Sequence, residues 1–395
     1  MNGFLVGCLF IGGGAGALGQ QVLPMDDAMY RGADMFERSA STGMVLVMVR
    51  GREVAVKSYG ETSPGSGRKP DINSLIRLCS LSKVMASDIL LKLNAEGKVR
   101  LDDPLQRYAP RGRMVPQKAG AQTITLLELA THTSGLPREV GAYPRQTPHF
   151  TFPDQPYRWN WLAREKPVAA PGSEALYSNV GYDLLGDALA AAAGKPYAQL
   201  LRERIVLPLG LHETTLTPTK EQCARLMQGT GDEGPCTDTQ ASGASGGVYS
   251  TGADMIRWLQ YLLQTPGAPA EPKTAFAVYK KPAELKLVKG LNHAGEPTGI
   301  GTGWIQLGNA ESPSMVMQKT GGGAGFETYV ALNLKRQTGV FLAATDGKGH
   351  AEIDLYQEAN VLLADLAGVA ALPAKEHRAA PAVRRRKRPV RRKAH

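Results

Sequence analysis

Continuous and alternating apolar runs lie near both ends of the chain and predict β-strands. Residues 43–49 and 53–59 are rich in valine and flank the short turn Arg50-Gly51-Arg52, which is a hairpin signal. Similar runs return late in the chain, at 314–319, 327–334 and 339–344. We therefore expect a sheet to which both ends of the chain contribute strands.

Helical periodicity occupies the middle of the chain. Apolar positions fall on one face over 82–94, over 182–192 and over 254–263, and an amphipathic closing helix is predicted over 352–366. This order predicts an α+β fold. Helices flank an antiparallel sheet whose first and last strands are neighbours, and a mainly helical lobe is inserted between them.

The N-terminal residues predict an export signal. Residues 4–18 are apolar or small and end in Gly16-Ala17-Leu18-Gly19, which is typical of a signal peptide and its cleavage site. The run is shorter than the ~20 apolar residues that a membrane-spanning helix needs. No Lys or Arg precedes Arg31, so the usual positive charge is missing. We assign 1–19 to a signal peptide, 20–372 to one folded domain and 373–395 to a tail.

The charge of the chain is concentrated in that tail. The composition is that of a globular protein, with 395 residues, 43% hydrophobic and 21% charged. The net charge is +10, and ten Lys or Arg against one Glu lie after residue 374, so the rest is nearly neutral. This excludes a nucleic-acid-binding domain with a basic face. The tail, predicted to be disordered, either contacts an anionic membrane or wall polymer, at ~1 kcal/mol per basic residue, or has no function.

The cysteines predict one disulfide. Cys223 and Cys236 bracket a short polar stretch, and in an oxidising compartment they would close a bridge worth ~3 kcal/mol. Two unpaired thiols are the alternative. Cys79 lies in an apolar run and is expected to be an inert buried thiol. The sequence shows no Cys/His cluster with metal-ligand spacing, so neither a metal nor another cofactor is predicted.

Ser80 and Lys83 form a Ser-x-x-Lys motif at the start of the helix predicted over 82–94. Residues three apart on a helix lie nearly one turn apart, so the lysine amine reaches the serine hydroxyl. A serine hydroxyl is a good nucleophile only when a base takes its proton, and a lysine with a lowered pKa does this. The motif alone is unspecific, because a capping serine beside a solvated lysine gives the same pattern.

Two further motifs carry suitable chemistry. In Tyr177-Ser178-Asn179 the phenol can shuttle a proton and the carboxamide can orient both a lysine and a substrate amide, although a surface loop would look the same. Lys319-Thr320-Gly321 follows a predicted strand and precedes Gly322. Lys319 and Thr320 suit a substrate carboxylate, and the Gly322 N–H suits an oxyanion. A glycine-rich hairpin is the alternative.

A competing motif is Gly243-Ala244-Ser245-Gly246-Gly247, which fits the Gly-x-Ser-x-Gly elbow of α/β-hydrolases. That elbow follows a buried strand, whereas 236–242 is polar, so Ser245 is not favoured as a nucleophile. His132 would be the base in that interpretation. It lies in a Thr-His-Thr-Ser-Gly stretch where we expect a structural role.

In order and context, the three favoured motifs resemble the active-site-serine penicillin-recognising enzymes, whose signature contains Ser-x-x-Lys, a middle element and Lys-Thr-Gly. The middle element Tyr-x-Asn is similar to that of class C β-lactamases and related peptidases. The resemblance covers about residues 43–366. Within the family the chain looks most similar to AmpH-type D-alanyl-D-alanine carboxypeptidases/endopeptidases, in the stretches 59–65, 130–134 and 318–323.

The resemblance implies a serine β-lactamase/transpeptidase-like fold and a hydrolase of peptidoglycan peptides. Ser80 would attack the D-Ala carbonyl, Lys83 and Tyr177 would move the proton, and the N–H groups of Ser80 and Gly322 would hold the oxyanion. The implied substrate-binding residues are Asn179, Lys319, Thr320, Gly321 and Gly322.

The implied activities are D-Ala-D-Ala carboxypeptidase and D-Ala-diaminopimelate endopeptidase, and β-lactams are further implied ligands. The implied location is the periplasm, where the tail would place the enzyme beside the inner membrane. A class C-like β-lactamase, an esterase on the same fold and a catalytically silent envelope-binding module are the alternatives. Intact Ser80, Lys83 and Tyr177 count against the silent module.

Overall fold

The first and last strands of the described residues pair in a seven-stranded antiparallel sheet, in which they are second and third from one edge. This computed structural model describes residues 22–117, 122–141, 143–165, 167–231, 233–270 and 274–374. The strands are β1 Gly43–Arg50, β2 Glu53–Gly60, β3 Leu75–Arg77, β4 Ala175–Leu176, β5 Tyr249–Thr251, β6 Val288–Lys289, β7 Pro297–Ile300, β8 Ile305–Leu307, β9 Val316–Gly323, β10 Phe326–Asn333 and β11 Thr338–Thr345. The sheet order is β2-β1-β11-β10-β9-β8-β7, which confirms the predicted hairpin and the neighbouring first and last strands.

Helices cover both faces of this sheet. They are α1 Met25–Arg38, α2 Ser82–Ala95, α3 Leu126–Ala130, α4 Gln155–Leu162, α5 Asn179–Ala193, α6 Tyr197–Leu201, α7 Leu207–Leu209, α8 Lys220–Cys223, α9 Gly252–Leu262 and α10 Leu355–Ala367. In β1, Met44 and Leu46 join the apolar cluster that contains α10, while Val45 and Val47 join the cluster that contains α2 and α9. Both faces of the strand are buried, which explains why its sequence is continuously apolar. The α+β prediction is confirmed.

Several predicted boundaries differ from the structure. The helix predicted over 182–192 begins at Asn179, because the Ser178 side chain caps it by accepting a hydrogen bond from the Gly181 N–H. The strand predicted over 314–319 runs from Val316 to Gly323, and its glycines are poor strand formers that hid the continuation. These shifts move Asn179 out of a loop and place the Lys-Thr-Gly motif inside a strand.

Some elements carried too weak a signal to be predicted. Helix α1 buries only Ala28, Gly32 and Met35, two of which are small, so its apolar face is narrow. Strands β7 and β8 have four and three residues. The predicted signal peptide 1–19 and the basic residues after 374 lie outside the described residues. None of the helices in the described ranges is long and apolar enough to cross a membrane.

Cys223 and Cys236 are joined in a disulfide in the structure. It ties the end of α8 to the segment that leads towards β5. Cys79 is the free thiol among the described cysteines, and it is buried. Burial raises the pKa of the Cys79 thiol to about 12, so that the group stays protonated and unreactive, in agreement with the prediction.

Candidate active site

Ser80 lies in a short 3₁₀ turn, Cys79–Leu81, that leads directly into α2. The Ser82 hydroxyl donates to the Cys79 carbonyl at 2.7 Å and accepts from the Val248 N–H at 3.1 Å, which anchors the turn to the segment before β5. Cys79 adopts a positive φ of 50°, a conformation that costs a non-glycine residue roughly 1–3 kcal/mol. The surrounding structure therefore holds Ser80 in a strained and well-defined turn.

Lys83 is fully buried one helical turn after Ser80. Its Nζ lies 3.4 Å from the Ser80 Oγ, 2.7 Å from the Asn179 Oδ1 and 2.5 Å from the Ser245 carbonyl oxygen. Burial lowers the pKa of Lys83, and the negative charges of Asp183 and Glu139 oppose that shift. An amine that loses its proton more readily than an ordinary lysine, within reach of a serine hydroxyl, is suited to act as a base.

Tyr177 is the second side chain that contacts Ser80. Its hydroxyl donates a hydrogen bond to the Ser80 Oγ at 2.6 Å. Three cations face its ring, at 4.8 Å for Lys83 Nζ, 5.3 Å for Lys319 Nζ and 5.0 Å for the Arg138 guanidinium carbon. Each such contact attracts the cation to the electron-rich ring face. The Ser80 oxygen thus lies between an amine and a phenol, both of which can carry a proton.

His132 supports the segment that carries Tyr177. Its Nδ1 accepts a hydrogen bond from the Ser178 N–H at 3.1 Å, and its ring stacks on that of Tyr177 at 4.5 Å. Burial, together with the nearby cations, lowers the pKa of His132 well below its usual value, so the imidazole is neutral. These contacts agree with the expected structural role.

Strand β9 forms the other wall of the cleft. Lys319 is 3% exposed, and its amine donates to the Thr320 carbonyl and hydrogen-bonds the Tyr177 side chain. Burial lowers the pKa of Lys319 to about 8. Thr320 is partly exposed next to it. Strand β8 pairs with β9 only over its first three residues, so within the described ranges no strand pairs with this edge from Lys319 onward.

The two glycines of this strand differ in their surroundings. A Cβ at Gly321 would lie 2.2 Å from the Thr328 Oγ1 and 2.8 Å from the Leu78 carbonyl oxygen, so no side chain fits. A Cβ at Gly322 would meet only the Phe326 carbonyl oxygen, at 3.9 Å. Gly321 therefore allows the strand to pack closely against the turn that presents Ser80, while Gly322 faces open space beside the cleft.

A cavity of about 360 Å³ opens in front of Ser80 and contains Gly322 in its wall. Other residues of this wall are Arg138, Glu139, Tyr143, Phe150, Asn179 and Asp183. A second cavity of about 700 Å³, lined in part by Glu327, Asp346 and Asp354, contains none of the predicted site residues. The Ser80 cavity is thus the one that opens onto the nucleophile that Lys83 and Tyr177 contact.

The sequence motifs missed two acidic side chains of the site and the main-chain role of Ser245. Glu139 accepts hydrogen bonds from the Asn179 amide and the Tyr143 hydroxyl, and Asp183 accepts one from the Ser245 N–H at 3.1 Å. The Ser245 hydroxyl is 4% exposed and donates to the Ser242 carbonyl, which agrees with setting aside the elbow interpretation. The main-chain carbonyl of Ser245, to which no side-chain motif points, binds Lys83.

Comparisons with known proteins agree with this geometry. The β-lactamase family model matches residues 32–363. The chain is 43% identical over 323 residues to the D-alanyl-D-alanine-carboxypeptidase/endopeptidase AmpH of Escherichia coli K12, covering 81% of this chain and 83% of that protein. It is 25% identical over 346 residues to a β-lactamase of Pseudomonas fluorescens, covering 80% and 92% respectively.

A solved structure is similarly close. The β-lactamase/D-alanine carboxypeptidase of Yersinia pestis, crystallised with citrate, superposes with a TM-score of 0.80 and 44% identity, covering 84% of this chain and 95% of that one. A class C β-lactamase superposes with a TM-score of 0.68 and 20% identity, over 86% and 94% of the two chains, which supports the shared fold. The chain therefore belongs to the β-lactamase family.

Proposed function

We propose that this protein is a serine D,D-peptidase that acts on peptidoglycan peptides through an acyl-enzyme on Ser80. The observation that carries the proposal is the position of the Ser80 Oγ, 3.4 Å from the Lys83 amine and 2.6 Å from the Tyr177 hydroxyl. The similarity to AmpH of Escherichia coli, named as a D-alanyl-D-alanine carboxypeptidase/endopeptidase, indicates the substrate class.

In the first step, the Ser80 Oγ attacks the carbonyl carbon of the D-Ala residue on the acyl side of the scissile bond. Lys83 and Tyr177 together take the serine proton, and the N–H groups of Ser80 and Gly322 bind the oxyanion. The C–N bond then breaks, and Tyr177 returns the proton to the leaving amine. A water molecule hydrolyses the ester, which releases the shortened peptide and restores the serine.

Lys319 and Thr320 explain which leaving groups the enzyme accepts. A terminal D-Ala and the diaminopimelate centre of a cross-link both carry a carboxylate beside the scissile amide, and a buried cation suits such a group. One pocket therefore serves both carboxypeptidase and endopeptidase reactions. β-Lactams carry an equivalent carboxylate and should acylate Ser80.

A β-lactamase is the second candidate, because the chain is also similar to the β-lactamase of Pseudomonas fluorescens. The two activities use the same residues and differ in how fast water reaches the acyl-enzyme. An esterase on the same fold is less consistent with Lys319, because an ester substrate without a carboxylate leaves this buried cation without a counter-charge.

The periplasm is the proposed location. Peptidoglycan lies outside the cytoplasm, and the disulfide between Cys223 and Cys236 suits an oxidising compartment. A catalytic domain over 20–372 agrees with the packing of Leu372 against the apolar cluster beneath α10. The basic tail is proposed to contact anionic membrane or wall polymer. Salt-dependent co-sedimentation with anionic vesicles tests this, and equal sedimentation of a chain truncated after Leu372 would rule it out.

The activity is tested by intact mass spectrometry after brief incubation with a fluorescent penicillin, beside Ser80→Ala. We expect a persistent adduct on the unaltered protein only. Digestion of a pentapeptide ending in D-Ala-D-Ala should then release one D-Ala. Rapid penicillin hydrolysis without an adduct would move the assignment to β-lactamase, and the absence of both signals would refute the proposed function.

A further inference from the structure

A carboxylate outside the three motifs lies behind Lys83. Asp183 is 3% exposed on α5, one turn after Asn179, so the two side chains share a face of that helix. The Asp183 Oδ1 accepts a hydrogen bond from the Ser245 N–H at 3.1 Å, and the Ser245 carbonyl accepts one from Lys83 at 2.5 Å. Helix α5 thus contacts Lys83 directly through Asn179, and Asp183 of the same helix contacts it indirectly through the main chain of Ser245.

Two cations oppose the effect of burial on the pKa of Asp183, Arg158 more strongly than Lys83. The Arg158 guanidinium is itself held by Asp187 in a two-point ion pair at 2.7 and 2.9 Å. Within the described part of the chain, the hydrogen-bond acceptors of the Lys83 amine are uncharged, and Asp183 supplies the largest of the negative charges that oppose the effect of burial on its pKa. The titratable or charged groups that interact with Asp183 are Lys83, Tyr143, Arg158, Asp187 and Tyr197, and those that interact with Lys83 are Cys79, His132, Arg138, Glu139, Tyr177, Tyr182, Asp183 and Lys319.

We propose that Asp183 is a positioning residue that orients the Ser245 carbonyl towards Lys83 and whose negative charge sets the pH range in which Lys83 accepts the Ser80 proton. This rests on the proposed role of Lys83 as base. When Lys83 takes the proton, an ammonium forms where solvent is excluded, and the negative charge of Asp183 stabilises it.

Burial raises the pKa of Asp183 and lowers that of Lys83, and the charge of each group opposes that shift in the other. Removal of the negative charge therefore favours neutral Lys83. The acylation rate should fall at low pH, where Lys83 is protonated, and we call this part of the pH profile the acid limb. In a variant without the negative charge, the acid limb should move to lower pH. Asp183→Asn retains an oxygen that accepts from the Ser245 N–H, whereas Asp183→Ala loses both the charge and the acceptor.

The experiment measures the acylation rate constant with a fluorescent penicillin from about pH 5 to about pH 9 for the full chain and both variants. Asp183→Asn should move the acid limb to lower pH by about one unit. Asp183→Ala should move it likewise and also lower the plateau by about tenfold, because the buried Ser245 N–H loses its partner. The position of the limb does not depend on the folded fraction, so partial misfolding does not produce the result.

Asp88→Asn is the matched control, because Asp88 is also a buried carboxylate but pairs with Lys92 and Tyr261. Its acid limb should coincide with that of the unaltered protein. An unmoved limb in Asp183→Asn would overturn the proposal. A loss confined to substrates with a cationic acyl side chain would likewise overturn it and make Asp183 a substrate ligand. If the unaltered protein forms no adduct, the proposed function itself fails.

Discussion

The helix side of the cleft, formed by α2 and α5, and the strand side, formed by β9, each present a buried lysine to Tyr177, but they surround it differently. On the helix side, Lys83 has three acceptors, from Ser80, Asn179 and Ser245. On the strand side, Lys319 donates to a single carbonyl of its own strand and hydrogen-bonds Tyr177. The edge beside Lys319 has no strand partner in the described ranges, and the adjacent Gly322 faces open space.

This difference separates two tasks that similar side chains perform. The contacts of Lys83 are internal, so its amine is fixed and suited to moving a proton. The contacts of Lys319 leave the open edge of the strand available, so its charge is suited to a group that arrives with the substrate. Burial lowers the pKa of both lysines, which shows that a lowered pKa alone does not distinguish a base from a binding residue.

Lys83→Ala should have the largest effect. Loss of the proposed base should slow acylation of Ser80 by about a thousandfold, whether or not the substrate carries a terminal carboxylate. The measurement is the acylation rate constant with a D-Ala-D-Ala peptide and with the C-terminal amide of the same peptide, which lacks the carboxylate. Lys92→Ala, on the same helix but paired with Asp88, is the control and should retain the rate. If Lys83→Ala slowed acylation only for substrates with a carboxylate, Lys83 would act like Lys319 as a binding residue and not as a base.

The glycines of β9 test how closely the strand must approach the nucleophile. In Gly321→Ala the new Cβ would press on Thr328 and on the Leu78 carbonyl, which displaces the turn that carries Ser80. We expect acylation to fall by about a hundredfold, because small displacements in a catalytic site cost about this much. Gly321→Ala should also lower the melting temperature, whereas Gly322→Ala, whose Cβ meets no such contact, should leave it unchanged. Equal melting temperatures in the two variants would contradict a steric origin.

Lys319→Ala should affect binding more than chemistry. We expect the KM for an N-acetylated D-Ala-D-Ala peptide to rise between about tenfold and about a hundredfold, since a hydrogen bond to a charged group is worth about 1.5–3 kcal/mol. The C-terminal amide of the same peptide lacks the carboxylate and should be processed alike by both proteins. Lys335→Ala, an exposed lysine, is the control. Equal losses for acid and amide would assign Lys319 to the chemical step.

The sequence predicted the members of the site that belong to short motifs, and it missed those set by tertiary contact. The structure places both Lys83 and Tyr177 within hydrogen-bonding distance of Ser80, whereas the catalytic roles of all three residues remain predictions. Glu139 and Asp183 belong to no recurring spacing. They matter because folding brings them beside Asn179 and Ser245, which a linear pattern does not reveal.

The fold likewise divides into elements that a local sequence pattern predicts and elements that tertiary packing determines. The strands near the two ends were predicted because burial on both faces demands continuous apolar residues, as in β1. Helix α1 was missed because it packs through small residues, where Gly32 lies against Tyr59 and Leu46. The end of β9 was missed because its glycines are selected by close packing and an open edge, which override strand propensity.

The smallest expected effect is a pH dependence that belongs to the strand side alone. Because the pKa of Lys319 is lowered to about 8, its cationic form is present below that pH and is lost above it. The KM for the N-acetylated peptide should therefore rise severalfold between about pH 7 and about pH 9, while the KM for the peptide amide stays constant. In Lys319→Arg the guanidinium remains charged throughout, so the rise should disappear. A rise that persists in Lys319→Arg would place the titrating group elsewhere in the cleft and would remove the proposed division of labour between the two lysines.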